Sequence, residues 1–452
     1  MSKPRAVLVA VKLPEVSPEE FTSSVHELRR LVTTLGYEVV EEITQARSGL
    51  APGAVLGEGK LKELGALTGG PGVIASGAPK RSDKARLRRE SADEDVADEE
   101  DGVDSEDPES SIALIAVDHD LTPSQARNLE RASGAPVLDR TGVIIEIFHR
   151  HAKSRQARAQ VEIARLAYTA PRLRESPSGK ERQRGRGAGE AALELDRRKI
   201  RDRIAELREE LGRIESEQGT RQKARRDART VALVGYTNAG KSSLMRALTG
   251  SQVLVEDKLF ATLDTTIRAL WPEVSPRILV SDTVGFIKKL PHDLVASFKS
   301  TLDEATLATL LLHVVDAADP DWKTQHDVTF EVLTEIGAGE VPRLLVMNKI
   351  DCLAPDKLAT LREEYPDALF VSARDEHDVA RVRTHIIEFF ERDYVQVELT
   401  VPYDRQRLIS SMHTLGVVDQ THYEDDGVRV HFRGSEAVVN QLRAELEAPV
   451  RA

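Results

Sequence analysis

The chain has 452 residues, of which 40% are hydrophobic, 31% are charged and 4% are aromatic, and its formal net charge is −12 at pH 7. This length has room for roughly three domains, and the composition is that of a globular protein. The sequence has no apolar run of about 18 residues that could span a membrane. The single cysteine, Cys352, excludes an internal disulfide and a multi-cysteine metal site, so we expect a cytoplasmic protein without a membrane span.

Short apolar runs alternate with amphipathic stretches in the first third of the chain. The runs VLVAVKL, YEVVEEI and SIALIAVD predict buried strands. Ser17 stands before a proline and predicts a helix cap, and the stretch TPSQARNLERASG predicts a second capped helix from Thr122 to Gly134. Residues 1–149 are therefore predicted to form a small α/β domain.

Charge is strongly segregated along the chain. Glu90 to Glu109 contains twelve Asp or Glu and no Lys or Arg, which predicts a disordered acidic insertion at about 81–110. Residues 150–229 carry 23 Lys or Arg against 13 Asp or Glu. Two stretches within them, 152–169 and 190–217, have helical periodicity on either side of a Gly- and Arg-rich loop. We expect a basic helical arm, and its charge makes it a candidate RNA-binding face.

The pattern after residue 229 is typical of a mostly parallel sheet built from βαβ units. The runs VALVGY, RILVSD, LLLHVVDA, RLLVMNK and LFVSA are separated by helix-sized spacings. Residues 230–394 are thus predicted to be one α/β domain. A small α+β domain with VQVELTVP and VRVHF as strands is expected at 395–452.

The stretch GYTNAGKS, Gly235 to Ser242, matches the phosphate-binding loop motif G-x-x-x-x-G-K-[ST]. It follows a predicted strand and opens a predicted helix, which is the context that the motif requires. Glycines let backbone N–H groups converge on phosphate oxygens, Lys241 would reach the β and γ phosphates, and Ser242 would offer its hydroxyl to Mg²⁺.

The stretch DTVG follows the next strand of this domain. Asp282 would hold Mg²⁺ through water, and the amide of Gly285 would contact the γ phosphate. The next position, where Ras-like hydrolases carry a water-orienting glutamine, holds Phe286. We expect its ring to lie in an apolar pocket, and we expect slow intrinsic hydrolysis.

The stretch NKID would select the base. The carboxylate of Asp351 can accept the N1–H and 2-amino groups of guanine, and adenine offers neither, so GTP is favoured over ATP. Asn348 would bond the purine, and the stem of Lys349 would cover it. The stretch SAR, Ser372 to Arg374, could offer backbone N–H groups to guanine O6.

The segment LFATLDTT would contact Mg²⁺ and the γ phosphate through a threonine. Thr262, Thr265 and Thr266 all have the required hydroxyl, and spacing does not choose among them. Two other tempting residues have simpler interpretations. His313 is expected to be a hydrogen-bonded strand residue, and Cys352 a packing residue near the base.

Together these motifs resemble the HflX family of ribosome-associated GTPases. The most specific part of the resemblance lies upstream, in LGEGKLKEL, in the run from LTPSQARNLERASG to QVEIARLAY, and in GAGEAALELDRR. It implies an N-terminal HflX-type domain, a helical arm, a P-loop GTPase domain and a C-terminal domain. It also implies a monomer that binds the large ribosomal subunit and its RNA, in splitting or rescue of stalled ribosomes or in ribosome biogenesis.

The resemblance makes Thr262 the Mg²⁺ ligand beside Ser242, and with Lys241 and Gly285 it forms the expected catalytic set. Asn238 occupies the place where related potassium-activated GTPases use an asparagine to hold K⁺. The expected nucleotide-binding residues are Gly235, Tyr236, Thr237, Asn238, Ala239, Gly240, Lys241, Ser242, Phe260, Ala261, Thr262, Leu263, Asp264, Asp282, Thr283, Val284, Gly285, Asn348, Lys349, Ile350, Asp351, Ser372, Ala373 and Arg374.

The sequence therefore predicts a Mg²⁺-dependent GTP hydrolase coupled to the ribosome. An alternative stays open: an RNA- or ribosome-binding module whose docking is regulated by nucleotide, with hydrolysis incidental. An ATP-driven RNA remodeller fits less well because Asp351 selects guanine.

Overall fold

A computed structural model describes residues 3–74, 111–173, 188–223, 229–250, 259–260, 266–288 and 299–447. The predicted acidic insertion and most of the Gly- and Arg-rich loop lie outside these ranges. The chain divides into two compact units, one of residues 1–147 with 167–193 and the other of residues 148–166 with 194–452. The finer division into four domains stays a prediction.

The first unit contains a four-stranded parallel sheet with the order β2-β1-β3-β4. The two central strands, β1 and β3, are almost continuously apolar, as expected of parallel strands that are covered on both faces. The elements of this unit are β1 (Arg5–Lys12), α1 (Pro18–Thr34), β2 (Glu38–Ala46), α2 (Glu58–Thr68), β3 (Ile112–Val117), α3 (Pro123–Ser133) and β4 (Val137–Asp139), and α4 (Arg140–His151) begins in it.

Local sequence signals set the ends of two of these helices. The Ser17 side chain accepts a hydrogen bond from the backbone N–H of Glu20 and so caps α1. Thr122 and Gln125 form a reciprocal capping box at the start of α3, and Gly134 ends that helix in the left-handed conformation. Both predicted caps are confirmed.

A buried ion cluster joins α1, the end of β3 and the start of α4. The guanidinium of Arg140, whose side chain is 2% exposed, donates to Asp118 Oδ1 over 2.7 Å and pairs with Glu27. Ser24 donates its hydroxyl to the other carboxylate oxygen of Asp118 over 2.6 Å. Because buried charges are costly unless they are paired, these three elements depend on one another.

Two helices, α5 (Arg155–Thr169) and α6 (Ala188–Lys223), form an arm, and most of their residues belong to the second unit. Arg155 pairs with Glu210, and Arg203 pairs with Glu162 over 3.2 Å. The partner numbers run in opposite directions, so the two helices of the arm are antiparallel. These ion pairs are exposed, and each contributes little to stability.

The central sheet of the second unit has six strands in the order β10-β9-β8-β5-β7-β6. All neighbouring pairs are parallel except β6 with β7, which is antiparallel. Its elements are β5 (Arg229–Val234), α7 (Lys241–Thr249), β6 (Thr266–Ala269), β7 (Ile278–Asp282), α8 (Lys299–Thr306), β8 (Leu310–Asp316), α9 (Trp322–Glu335), β9 (Arg343–Asn348), α10 (Pro355–Glu364), β10 (Leu369–Phe370) and α11 (Glu376–Glu391).

The last elements form a small antiparallel sheet with the order β11-β13-β12 and helices on one face. Apolar side chains alternate along β13 and face those helices, while the charged side chains between them face outward. Its elements are β11 (Val395–Val401), α12 (Arg407–Leu415), β12 (Val417–Glu424), β13 (Gly427–Gly434) and α13 (Glu436–Glu447). The multidomain α/β class is therefore confirmed. No helix in the described ranges is long and apolar enough to cross a membrane.

Arg140→Met should lower the free energy of opening of the first unit by about 3–5 kcal/mol, because it leaves two carboxylates without their buried cation. Hydrogen exchange of the β1 and β3 amides in the full chain measures this change. Arg131→Met, at an exposed position with no described ion pair, is the control and should cost less than about 1 kcal/mol. Equal protection in both variants would contradict the stabilising role of the cluster.

Candidate nucleotide site

The phosphate loop lies between β5 and α7, at the carboxyl edge of the six-stranded sheet. Gly235 and Gly240 have φ angles of 147° and 96°, which side-chain-bearing residues rarely adopt. A Cβ on Gly240 would lie 2.1 Å from the Nδ2 atom of Asn348, so only glycine permits this close approach. The N-terminus of α7 opens directly after the loop and favours an anion there.

Lys241 is buried at the first position of α7. Its ammonium donates to the carbonyl oxygens of Gly235 and Tyr236 over 3.0 and 2.8 Å. Burial lowers the pKa of Lys241 to about 8, and the carboxylate of Asp282 opposes this shift. The loop backbone thus surrounds the lysine. Its two carbonyl oxygens accept the hydrogen bonds that phosphate oxygens could accept from the ammonium in their place.

A hydroxyl and a carboxylate meet at the start of α7 and the end of β7. Ser242 donates its hydroxyl to Asp282 Oδ2 over 2.7 Å, and Asp282 is fully buried. Both are oxygen ligands of the kind that Mg²⁺ prefers, and this ion usually takes few protein ligands beside phosphates and water. No group of three or more His, Cys, Asp or Glu that could hold a metal ion occurs in the described ranges. The residues present fit Mg²⁺.

The DTVG segment runs from β7 against the phosphate loop. The hydroxyl of Thr283 donates to Leu233 O over 2.7 Å, and Val284 is buried. A Cβ on Gly285 would lie 2.8 Å from the Cα of Thr237 and 2.9 Å from the Nζ of Lys241. Only glycine therefore permits this close approach of the DTVG segment to the phosphate loop and to Lys241.

Phe286 pairs with the phosphate loop through its main chain. Its N–H donates to Gly235 O over 3.2 Å, and its carbonyl accepts the Thr237 N–H over 2.8 Å. The Tyr236 hydroxyl accepts the backbone N–H of Lys288 over 2.6 Å. Phe286 is only 2% exposed, which confirms the predicted burial of its ring.

The base-recognition motifs meet the phosphate loop through Asn348. Its side-chain amide donates to Ala239 O over 2.8 Å, and its Oδ1 accepts the Ala373 N–H over 3.0 Å. The amides of Ser372 and Arg374 donate to Asp378 Oδ2 and to the Ser372 hydroxyl. All three SAR amides thus have acceptors within the protein, and guanine O6 would have to share or replace one of them.

The carboxylate that is predicted to select the base lies at the surface. Asp351 is exposed and has the guanidinium of Arg374 3.8 Å away. Ile350 donates its N–H to Val371 O over 3.4 Å and holds the turn that carries Asp351. Lys349 has a left-handed backbone, with φ 63°. Asp351 is therefore an exposed carboxylate on the turn that follows Asn348 and Lys349.

Part of the predicted site lies outside the described ranges, namely Ala261, Thr262, Leu263 and Asp264. The preceding residue, Phe260, is buried, and its ring meets that of Phe148 edge to face at 4.5 Å between centroids. Phe148 was not predicted from the sequence to lie near the site. The only available signal was its position in an upstream run shared with the family.

Two expectations were wrong. Cys352 is exposed, with its Sγ 3.8 Å from Asp351 Oδ2, because the turn after β9 directs it outward instead of into the core. His313 lies in β8 as expected, but neither ring nitrogen has a hydrogen-bond partner among the described residues. Its ring stacks on His326 at 4.6 Å, and burial lowers the pKa of His313 to about 3. It is a neutral packing residue.

Profiles of three protein families match most of the chain. Residues 22–73 and 103–149 match "GTP-binding GTPase N-terminal", residues 151–225 match "GTP-binding GTPase Middle Region", and residues 230–349 match "50S ribosome-binding GTPase". A solved GTP-binding protein from Sulfolobus solfataricus, in complex with GDP, is 22% identical and has a TM-score of 0.42. That match covers 85% of this chain and 99% of the solved one.

Similar proteins of full length are known in bacteria. "GTPase HflX" of Gluconacetobacter diazotrophicus is 56% identical over 446 residues, which cover 98% of each chain. "GTPase HflX" of Escherichia coli is 37% identical over 431 residues, which cover 94% of this chain and 91% of the relative. Such identity along nearly the whole length means that the chain belongs to the HflX family of GTPases.

Proposed function

We propose that this GTPase couples the hydrolysis of GTP to contact with the large ribosomal subunit in the cytoplasm. The observation that carries the proposal is the convergence of phosphate loop, DTVG segment and base-recognition turn at one edge of the six-stranded sheet. The match of residues 230–349 to "50S ribosome-binding GTPase" supports the ribosome as the partner. The same proposal includes a specific role on the ribosome, either in splitting or rescue of stalled ribosomes or in ribosome biogenesis.

Phosphate recognition would rest on Lys241, the loop amides and Gly285. On binding, the ammonium would exchange two carbonyl acceptors for phosphate oxygens, which carry more negative charge and bind it more strongly. Ser242 and Thr262 would hold Mg²⁺, which when bound supplies neutralisation of phosphate charge. Donors held near the phosphates would stabilise the charge that develops during hydrolysis.

Guanine recognition would rest on Asp351. Its carboxylate is exposed and only distantly approached by Arg374, so it can accept the two guanine N–H groups without first breaking a strong ion pair. Adenine would leave that acceptor unpaired, at a cost of about 1–3 kcal/mol or more for a charged group. These features support GTP and GDP as the ligands.

A group other than Phe286 would have to activate the attacking water. A buried phenyl ring has no group that could orient water, and its backbone N–H and carbonyl are both used in holding the phosphate loop. Two candidates are the ribosome, acting on the switch segments, and a K⁺ ion held by Asn238. The side-chain oxygen of Asn238 is the group that would hold the ion, and its left-handed backbone, with φ 62°, is a conformation that asparagine tolerates.

The alternative, a nucleotide-regulated RNA-binding module, draws support from the arm. Residues 150–229 carry 23 Lys or Arg against 13 Asp or Glu, and this excess lies outside α6, whose nine Lys or Arg are matched by nine Asp or Glu. A positively charged segment of this kind can bind phosphate backbones without any hydrolysis.

Lys241→Ala should lower GTP turnover at least about a hundredfold, because it removes the main charged donor to the phosphates. Phosphate release is measured with and without purified large subunits, which should stimulate the wild type, and cosedimentation is measured in parallel. Lys323→Ala, at an exposed position, is the control. Undiminished turnover in Lys241→Ala would refute the hydrolase assignment, and unchanged wild-type turnover on the ribosome would favour the alternative.

Phe286→Gln should not raise unstimulated turnover, and it should lower the melting temperature. The new amide would be buried where the ring now packs, at a cost of about 1–3 kcal/mol if it finds no partner. Phe286→Leu should turn over GTP as the wild type does. A faster Gln variant would mean that this side chain can reach the water after all.

Turnover should be faster in KCl than in NaCl, and Asn238→Gly should lose this difference. Glycine keeps the left-handed backbone and removes the whole side-chain carboxamide, including the oxygen that would hold the ion. Asn238→Asp retains an oxygen and should keep the preference for K⁺. Equal wild-type rates in the two salts would exclude a K⁺ site.

A further inference from the structure

Asp316, the last residue of β8, lies beside the base-recognition motif. The parallel register of β8 and β9 pairs Asp316 with Asn348, and Ala317 donates its N–H to Asn348 O over 2.9 Å. The Oδ1 atom of Asp316 accepts the N–H of Ala318 over 3.1 Å. This second bond fixes the orientation of the carboxylate, because it ties the side chain to its own main chain.

The other oxygen of Asp316 binds the lysine of the NKID motif. Lys349 donates its ammonium to Asp316 Oδ2 over 2.7 Å, the short distance of a charge-assisted hydrogen bond. Lys349 follows the last residue of β9 and has a left-handed backbone. The direction of its side chain is therefore not determined by the geometry of the strand. Between a fixed Cα and a fixed ammonium, the four-carbon stem has few conformations left.

We infer that Asp316 is a positioning residue for guanine-nucleotide binding, which acts by holding Lys349 in place before the nucleotide arrives. This inference rests on the proposed role of the Lys349 stem as a cover for the base. A lysine side chain has large rotamer freedom, and an anchored one loses less of it when a ligand binds. The carboxylate therefore contributes to affinity without touching the nucleotide.

The ion pair has little value as a stabilising contact. The Lys349 and Asp316 side chains are 29% and 16% exposed, and pairs that reach solvent contribute little to folding. It joins residues on neighbouring strands that the backbone ladder already holds together. Its main consequence is thus the placement of the Lys349 side chain.

A double-mutant cycle tests the inference in the full chain. The dissociation constant of fluorescently labelled GDP is measured for the wild type, Asp316→Ala, Lys349→Ala and the double variant. Asp316→Ala should raise it about five- to tenfold, within the range of measured pair couplings, and should add nothing in the Lys349→Ala background. Asp367→Ala, at an exposed position of the same unit, should leave it unchanged.

Steady-state kinetics separate positioning from damage to the fold. Asp316→Ala should raise KM for GTP and leave kcat unchanged, because Lys349 is expected at the base and away from the phosphates. An unfolded fraction would lower kcat as well.

Three results would overturn the inference. Asp316→Ala could bind GDP as tightly as the wild type, or its effect could persist in full in the Lys349→Ala background. If Lys349→Ala itself had no effect, the proposed role of the lysine stem would fail first, which distinguishes that failure from a failure of Asp316 alone.

Discussion

The two hydrogen bonds of the Asn348 side chain hold the nucleotide site together. Its amide group donates to the phosphate loop at Ala239 O, and its oxygen accepts the N–H of Ala373 from the turn after β10. One buried side chain thus joins the phosphate loop to the turn that carries the SAR residues. Gly240 completes this arrangement because any Cβ there would displace the amide by collision. Within the described ranges, three chain segments that are remote in sequence meet at this one group.

Main-chain bonds explain how a phenylalanine can stand where a glutamine is expected. The segment after DTVG is fastened to the phosphate loop by the N–H and carbonyl of Phe286 and by the Tyr236 hydroxyl on Lys288. These bonds do not depend on the identity of the side chain at position 286. That side chain can therefore be buried in the core. A group that activates water must then come from elsewhere, or the segment must detach and break at least the bond from Thr237 N–H to Phe286 O.

The sequence predicted those features that depend on neighbours along the chain. The capping box at Thr122 and the strand-loop-helix order of the phosphate loop follow from local rules of backbone geometry. The sequence analysis did not predict the roles of Phe148 and Asp316, because these roles depend on contacts with residues remote in sequence, Phe260 and Lys349. The position of Asp316 near the site could have been predicted, because the carboxyl ends of parallel strands share one edge of a sheet and the strand LLLHVVD ends there. The exposure of Cys352 could not have been predicted, because it depends on the exact path of one turn.

The pKa of Lys241 links the phosphate loop to its ligand. Burial lowers this pKa to about 8 from the ordinary 10.5, so the charged form is disfavoured in the folded loop. Between pH 8 and pH 10.5 this lysine binds more protons in the unfolded chain than in the folded chain. The resulting free-energy cost of folding grows as the pH falls from 10.5 to 8 and stays constant below pH 8. Near neutral pH the ammonium is present and is satisfied by two carbonyl oxygens. Phosphate oxygens placed beside the ammonium would stabilise its charged form and so raise this pKa again.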